Sequence, residues 1–389
     1  MMYPERFSNL PDYAFPRLRT LLNGIQPGGD PVVMTIGEPT HPFPQWVGEE
    51  LSANLAGFNR YPPNPGSDEL LSAITGWISR RYGVPEPAAM ALNGTREGLY
   101  NAAMALCPED KNGRPVVLTP NPFYQVYMVA ALSVAAEPVF VDATAETGFL
   151  PDYTALPDDI LNRTAIAYIC SPANPQGVVA SRDYWRDLLA LAERYDFRIF
   201  ADECYSEIYR DDAPVGILTV AHEMGADPER VVLFNSLSKR SNLPGLRSGF
   251  VASGPGAIAQ MQQLRNYAGA PLPLPLQAVA ARAWSDEAHV EANRALYHAK
   301  YALADEILGD VPGYMSPVAG FFLWLPAEDG EAATVRLWRE TGVKVLPGSY
   351  LAQDGAAGNP GHGYIRVALV AAQDDTRRGL TALRDSLYA

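Results

Sequence analysis

The stretch Ala165-Ile-Ala-Tyr-Ile-Cys170-Ser-Pro-Ala-Asn174-Pro-Gln-Gly177, continued by Arg182-Asp-Tyr-Trp185-Arg-Asp-Leu188-Leu189-Ala-Leu-Ala192-Glu-Arg-Tyr195 and Arg198-Ile-Phe-Ala201-Asp202, decides how the chain is read. A β-prone apolar run breaks at a Pro/Asn/Gly turn. A helical pattern follows with Trp185, Leu188, Leu189, Ala192 and Tyr195 on one face, and a second apolar run closes the unit. Strand, amphipathic crossover helix and strand predict a mainly parallel sheet with helices packed on it. Outward from that unit, the same rhythm places strands at Pro115–Thr119, Pro138–Val141, Val231–Phe234 and Gly249–Ala252, beside Ala165–Cys170 and Arg198–Ala201. The opening is punctuated by Pro and Gly at Gln26-Pro-Gly-Gly-Asp-Pro31, Gly37-Glu-Pro-Thr-His-Pro-Phe-Pro44 and Tyr61-Pro-Pro-Asn-Pro-Gly66, segments that read as extended or turning, and the alternating rhythm begins at residue 93. The run Pro271-Leu-Pro-Leu-Pro275 reads as a joint before a long helix from about Asp286 to Leu308. The remainder, carrying Gly320–Leu325, Val343–Leu346 and Tyr364–Leu369, reads as a smaller α+β unit.

Composition bounds the function classes. The 389 residues are 48% apolar and 19% charged, which excludes a disordered or fibrous chain. Thirty Lys and Arg against 44 Asp and Glu leave a charge of −14, the wrong sign for holding phosphate backbones, so nucleic acid is not an expected partner. The three cysteines, Cys107, Cys170 and Cys204, have no CxxC spacing and suggest neither a disulfide framework nor a zinc knuckle. The first ten residues carry no basic region ahead of an apolar one, and no apolar stretch is long enough to span a bilayer. The expectation is a cytoplasmic protein with no membrane partner. No histidine pair falls in HExxH spacing, no Walker loop occurs, and Gly254-Pro-Gly256 lacks the third glycine of a dinucleotide fingerprint.

In wound parallel sheets ligands sit at the carboxyl ends of the strands, so the residues that end each run are the informative ones. Asp202 ends one run, with Tyr205 three residues on; taken alone it reads as a helix N-cap. Val231–Phe234 feeds Asn235-Ser236-Leu-Ser238-Lys239 and then Arg247. A strand-end lysine among hydroxyls, near a cation that favours its neutral amine, suits a Schiff-base lysine beside an anion site. Alone it is better read as a surface lysine. Asn93-Gly94-Thr95-Arg96-Glu97-Gly98 opens a helical pattern whose free N–H groups suit a phosphate. Asn121-Pro-Phe-Tyr124 places an aromatic ring, and Ser171-Pro-Ala-Asn174-Pro-Gln-Gly177 an amide. A phosphate cradle, a ring, an amide, a carboxylate and an amine, in this order, are the parts that pyridoxal phosphate requires.

On the motifs Asn121-Pro-x-Tyr124, SPxNPxG at 171–177, ADECY at 201–205 and SLSKxxxxPGLRxGF at 236–250, the chain resembles the class I/II aminotransferases of the aspartate aminotransferase fold group over essentially its whole length. The resemblance implies fold type I: a large domain with a mainly parallel seven-stranded sheet in an α/β/α sandwich, and a smaller α+β domain. It implies pyridoxal 5′-phosphate on Lys239, Asp202 on the pyridine nitrogen, Tyr205 and Asn174 at the phenolic oxygen, and Tyr124 stacked on the ring. The phosphate would be held by Gly94, Thr95, Arg96, Ser236, Ser238 and Arg247. Arg366 would grip the substrate carboxylate, faced by Gly37, and Tyr61 would reach the phosphate of a neighbouring subunit, so that a homodimer shares its sites. Residues 46–285 are expected to form the large domain, and 1–45 with 286–389 the small one that closes over the substrate.

Within that group, GTREG at 94–98, NPFYQVY at 121–127, ADECYSEIY at 201–209 and NPGHGYIRVAL at 359–369 resemble the proteobacterial N-succinyldiaminopimelate aminotransferases. That resemblance implies glutamate as donor and N-succinyl-2-amino-6-oxopimelate as acceptor, with Arg240, Arg96 and Arg265 as candidate cations for a polyanionic substrate. An aminotransferase of aspartate, aromatic or alanine type, or a C–S β-lyase, would use the same lysine and aspartate, because each begins by deprotonating Cα. A ligand-sensing transcription regulator is disfavoured: the motifs begin by Gly37, which leaves no room for a DNA-binding domain, and the chain is acidic.

Overall fold

A computed structural model describes residues 5–8, 10 and 12–389. The opening residues on which the reading of no export leader rests lie largely outside the described residues. Among the described residues twelve strands occur in chain order: β1 (Val32–Val33), β2 (Ala88–Leu92), β3 (Val116–Asn121), β4 (Glu137–Asp142), β5 (Thr164–Cys170), β6 (Arg198–Asp202), β7 (Val231–Ser236), β8 (Gly249–Ser253), β9 (Phe322–Pro326), β10 (Val343–Lys344), β11 (Leu346–Pro347) and β12 (Tyr364–Ala368). Seven of them form one sheet in the order β2-β8-β7-β6-β5-β3-β4, the mixed α/β architecture of fold type I. Only β8 runs against its neighbours, antiparallel to both β2 and β7. The direction therefore reverses twice, and β2 ends at the same edge as β3 to β7.

Buried residues alternate between the two faces, as a fully covered sheet requires. Ala167, Ile169, Ile199, Ala201 and Leu233 join one core, under the helices Asp68–Tyr82, Arg182–Tyr195 and Leu274–Ser285. Ile166, Tyr168, Phe200, Val232 and Phe234 join the other, under Thr95–Leu106, Gln125–Ser133 and Pro255–Arg265. The crossover helix is framed by local chemistry: the Ser181 side chain accepts from the Tyr184 amide at its start, and Asp196 turns left-handed at its end.

Two expectations are corrected. Ala88-Ala-Met-Ala-Leu92 has no β-branched residue and lies ahead of the rhythm read from residue 93, yet it forms edge strand β2 because its backbone completes a ladder with β8. The proline-rich run at 271–275 is not simply a joint: Leu274 and Pro275 open a helix, with proline in the first turn where its missing N–H forfeits no bond. That helix packs with Asp68–Tyr82 around Trp77 and Trp284.

Towards the end of the chain, β11-β12-β9 form an antiparallel sheet and β1 pairs with β10. Their core includes Val32, Met34, Tyr297, Phe321, Leu325 and Val367, joined by Cys204, Tyr205 and Ile208 from the turn after β6. The turn that carries Tyr205 thus packs where the two cores meet, beside the carboxyl ends of β5, β6 and β7.

Candidate active site

At those strand ends lies a cavity of about 270 Å³. Asp202, last residue of β6, is buried; its Oδ2 accepts from the Tyr127 hydroxyl at 2.9 Å and its Oδ1 from the Cys204 amide at 3.3 Å. No helix follows it, only a turn, so the N-cap reading of Asp202 is overturned. Burial pushes its carboxyl above the ordinary value, while the two donors pull it back toward the anion. Tyr127 is held by a ring stacked on Tyr168 at 4.4 Å.

Lys239 comes from the short helix Leu237–Arg240 directly after β7. Its amine donates to the Gly37 carbonyl. Burial above all, helped by the Arg366 cation, lowers its ammonium to about 8, so a neutral amine is accessible near physiological pH.

On one side of the lysine, Gly94 precedes the helix Thr95–Leu106 with φ of +81° and no side-chain cap, leaving that helix's first amides open. A Cβ on Gly94 would lie 2.2 Å from Arg247 Nη2, so glycine is what lets the guanidinium come close. Among the described residues, Arg247 donates only to the carbonyls of Pro244 and Asn93, at 2.9 and 3.4 Å. The Ser236 hydroxyl accepts from the Ser238 amide at 3.1 Å. Arg96 Nε donates to the Tyr124 hydroxyl at 2.8 Å, fixing that ring at the rim. The Thr95 hydroxyl lies 3.2 Å from Cys204 Sγ.

Opposite, on β12, stands a buried guanidinium. Arg366 donates from Nη1 to Asn174 Oδ1 at 2.9 Å and from Nη2 to the Thr35 carbonyl at 2.8 Å, while its Nε has no partner among the described residues. It lies 4.3 Å over the Phe322 ring, and burial lowers it to about 10. A buried cation whose hydrogen bonds go only to neutral oxygens still lacks its counter-charge. Gly37 passes close by: a Cβ there would lie 2.5 Å from Phe322 Cζ.

The sequence pattern of the family described as Aminotransferase class I and II matches residues 30–382. The chain belongs to the class I and II aminotransferases. An aminotransferase of known structure from Neisseria meningitidis is 36% identical, with a TM-score of 0.93 over 98% of this chain and 99% of that one. Aminotransferase AspB from Helicobacter pylori is 30% identical with a TM-score of 0.90, covering 99% of each chain. An LL-diaminopimelate aminotransferase from Dehalococcoides mccartyi is 30% identical over 98% of each chain. One from Syntrophobacter fumaroxidans is 29% identical over 98% of this chain and 97% of its own.

This aminotransferase is thus a pyridoxal-phosphate-dependent transaminase, and its residues fit the coenzyme: a glycine-opened helix start beside an arginine with no carboxylate partner among the described residues, a buried carboxylate, and a lysine with a lowered pKa. Thr95, Arg96, Tyr124, Asn174, Asp202 and Tyr205 all line the one cavity, and so do Ser236, Ser238, Lys239, Arg247, Arg366 and Gly37. Gly94 stands behind it, against Arg247. Tyr61 does not reach the cavity and is fully exposed. Of the three candidate cations for a polyanionic substrate, only Arg96 lines the cavity. Arg240 points the other way from Lys239, paired with Glu287 at 2.5 Å and packed on Trp77 and Trp284, and Arg265 is paired with Glu97 at 2.9 Å. Sequence reasoning missed Tyr127, Cys204 and Tyr13 on the cavity wall. Tyr127 carries a signal in hindsight, since it stands one helical turn beyond Tyr124 in a helix that begins at the site.

Proposed function

We propose that this aminotransferase moves the amine of glutamate onto N-succinyl-2-amino-6-oxopimelate, in the formation of diaminopimelate for lysine. The observation that carries a carboxylate-bearing amino acid is Arg366, buried, forked and without a carboxylate partner among the described residues, on the cavity that Lys239 and Asp202 share. In a chain of net charge −14, an anionic substrate needs such a local cation. A biosynthetic role of this kind belongs in the cytoplasm.

When bound, the coenzyme supplies an electron sink for the carbanion at the substrate Cα. Lys239 would hold the coenzyme by its aldehyde carbon and, once the substrate amine has displaced it, move the proton at Cα. Asp202, whose anion is favoured by Tyr127 and the Cys204 amide, would pair with the pyridine nitrogen. Asn174 and Tyr205 would donate to the phenolic oxygen, and Tyr124 would cover the ring. Gly94, Thr95, Arg96, Ser236, Ser238 and Arg247 would hold the phosphate, joined by Tyr61 from a second copy in a homodimer. Arg366 orients the α-carboxylate. Residues 1–45 with 286–389 close over the large unit, 46–285, and bring Gly37 to the same carboxylate, excluding water.

The names of the curated relatives favour a second reading, in which LL-diaminopimelate itself exchanges its amine. The succinylated substrate carries an additional carboxylate, for which Arg96 is the cavity cation at hand. The test mixes coenzyme-loaded protein separately with glutamate, succinyldiaminopimelate, LL-diaminopimelate, aspartate, aromatic amino acids and cystathionine, following loss of the visible band and keto acid produced. Reaction with glutamate and succinyldiaminopimelate supports the proposal. Reaction with LL-diaminopimelate alone moves the substrate to the second reading, and pyruvate released without an acceptor makes the protein a lyase.

A further inference from the structure

The main chain of Lys239 is held from outside the cavity. Asn293, buried on the long helix Ala288–Leu308, donates through Nδ2 to the carbonyls of Lys239 and Arg240, at 3.2 and 3.4 Å. These are terminal carbonyls of the four-residue helix Leu237–Arg240, acceptors that such a helix cannot satisfy internally. The amide oxygen of Asn293 accepts from Asn242 Nδ2 at 2.9 Å and meets His41 Nδ1 at 3.0 Å. The orientation of the amide is therefore fixed: turned over, it would set its oxygen against two carbonyls and its NH₂ against the NH₂ of Asn242. With Oδ1 an acceptor, His41 must carry its proton on Nδ1. The imidazole is seated on the Tyr297 ring at 4.6 Å.

His41 belongs to the segment that begins at Gly37, whose carbonyl receives the Lys239 amine, and Thr40 in the same segment donates to the Val370 carbonyl. Both ends of Lys239 are thereby tied to residues 37–41: the amine directly, the backbone through Asn293. We propose that Asn293 and His41 form a positioning unit that makes the place of the Lys239 amine follow the segment passing over the site. Neither residue lines the cavity, so they act through the lysine. The inference rests on the reading of Lys239 as the coenzyme-holding residue.

The experiment compares coenzyme-loaded wild type, Asn293→Ala, His41→Phe and the double variant. His41→Phe keeps a ring against Tyr297 and removes one hydrogen bond, so it carries the test if Asn293→Ala does not fold. Three quantities are read: kcat and KM of the glutamate half-reaction, the pH midpoint of the visible band, and Tm. Each single variant is expected to lower kcat about tenfold with KM changed less than about twofold, and the double variant to be little worse than Asn293→Ala. The band's midpoint shifts with them, because it reports the lysine nitrogen. A fall in Tm with kcat and midpoint unmoved overturns the proposal and leaves Asn293 structural. A visible band that survives Lys239→Ala overturns the reading of Lys239 itself, and the inference with it.

Discussion

Burial works in opposite directions on the two ionisable groups at the centre of the site, lowering the ammonium of Lys239 to about 8 and raising the carboxyl of Asp202. In coenzyme-free protein, acylation of Lys239 should accordingly follow a midpoint near 8 rather than the usual 10.5; a midpoint at the ordinary value refutes the environment described. Lys239→Ala should abolish turnover and the visible band in a protein whose circular dichroism is unchanged. Two donors favour the Asp202 anion against its burial, so Asp202→Asn should slow Cα deprotonation by about 10³-fold or more, and Tyr127→Phe by about tenfold, measured in single turnovers. Equal rates for Asp202→Asn and wild type would reduce that carboxylate to a structural role. Glu203, next in sequence, is buried where Tyr82 Oη and the Ile217 amide donate to it, and burial raises it from 4.5 to about 7. Between those values the folded chain holds a proton that the unfolded chain has lost, so this group's stabilisation is present below pH 4.5 and disappears as pH rises through 7. The change is about 3 kcal/mol at most. Glu203→Gln should flatten that slope in denaturant titrations at pH 5 and pH 8, the Tyr82 hydroxyl turning to accept from the new amide.

Strand ends and helix starts set the geometry in which those residues meet. Gly94 joins β2 to the helix Thr95–Leu106 at φ +81° and ψ 156°, a region essentially closed to residues with a Cβ. Gly94→Ala should cost about 1–3 kcal/mol in strain and push Arg247 away from the helix start. The expected outcome is a lower Tm together with weaker coenzyme retention on dialysis. Unchanged retention would remove Arg247 from the proposed phosphate cradle.

At the scale of the whole molecule, the seven-stranded sheet aligns six strand ends, and the smaller unit places Arg366 across from them. Tyr61 stands fully exposed, as do most of Tyr267 and more than half of Phe58. A proposed second copy gives Tyr61 a reason to be there. Sedimentation should then return twice the 42.3 kDa chain mass, and Tyr61→Phe should weaken coenzyme retention about tenfold without splitting the assembly. A monomer that retains coenzyme fully would remove Tyr61 from the site.

The sequence by itself determined the strand and helix rhythm, because apolar period and turn chemistry are local, and it marked Asp202, Asn174, Lys239 and Arg247 because they stand at the end of an apolar run or in the segment that such a run feeds. It did not determine β2, whose alanine-rich backbone becomes a strand only through pairing with β8. Nor did it separate Lys239 from Arg240, adjacent in sequence yet directed into the cavity and into the Trp77–Trp284 core respectively, since a helix turns successive side chains by about 100°. Tyr127 against Asp202, and Arg366 against Asn174, join residues 75 and 192 positions apart. Only the packing of the sheet and the smaller unit decides such pairs, because burial and hydrogen-bond partners are properties of the folded surroundings rather than of the residue.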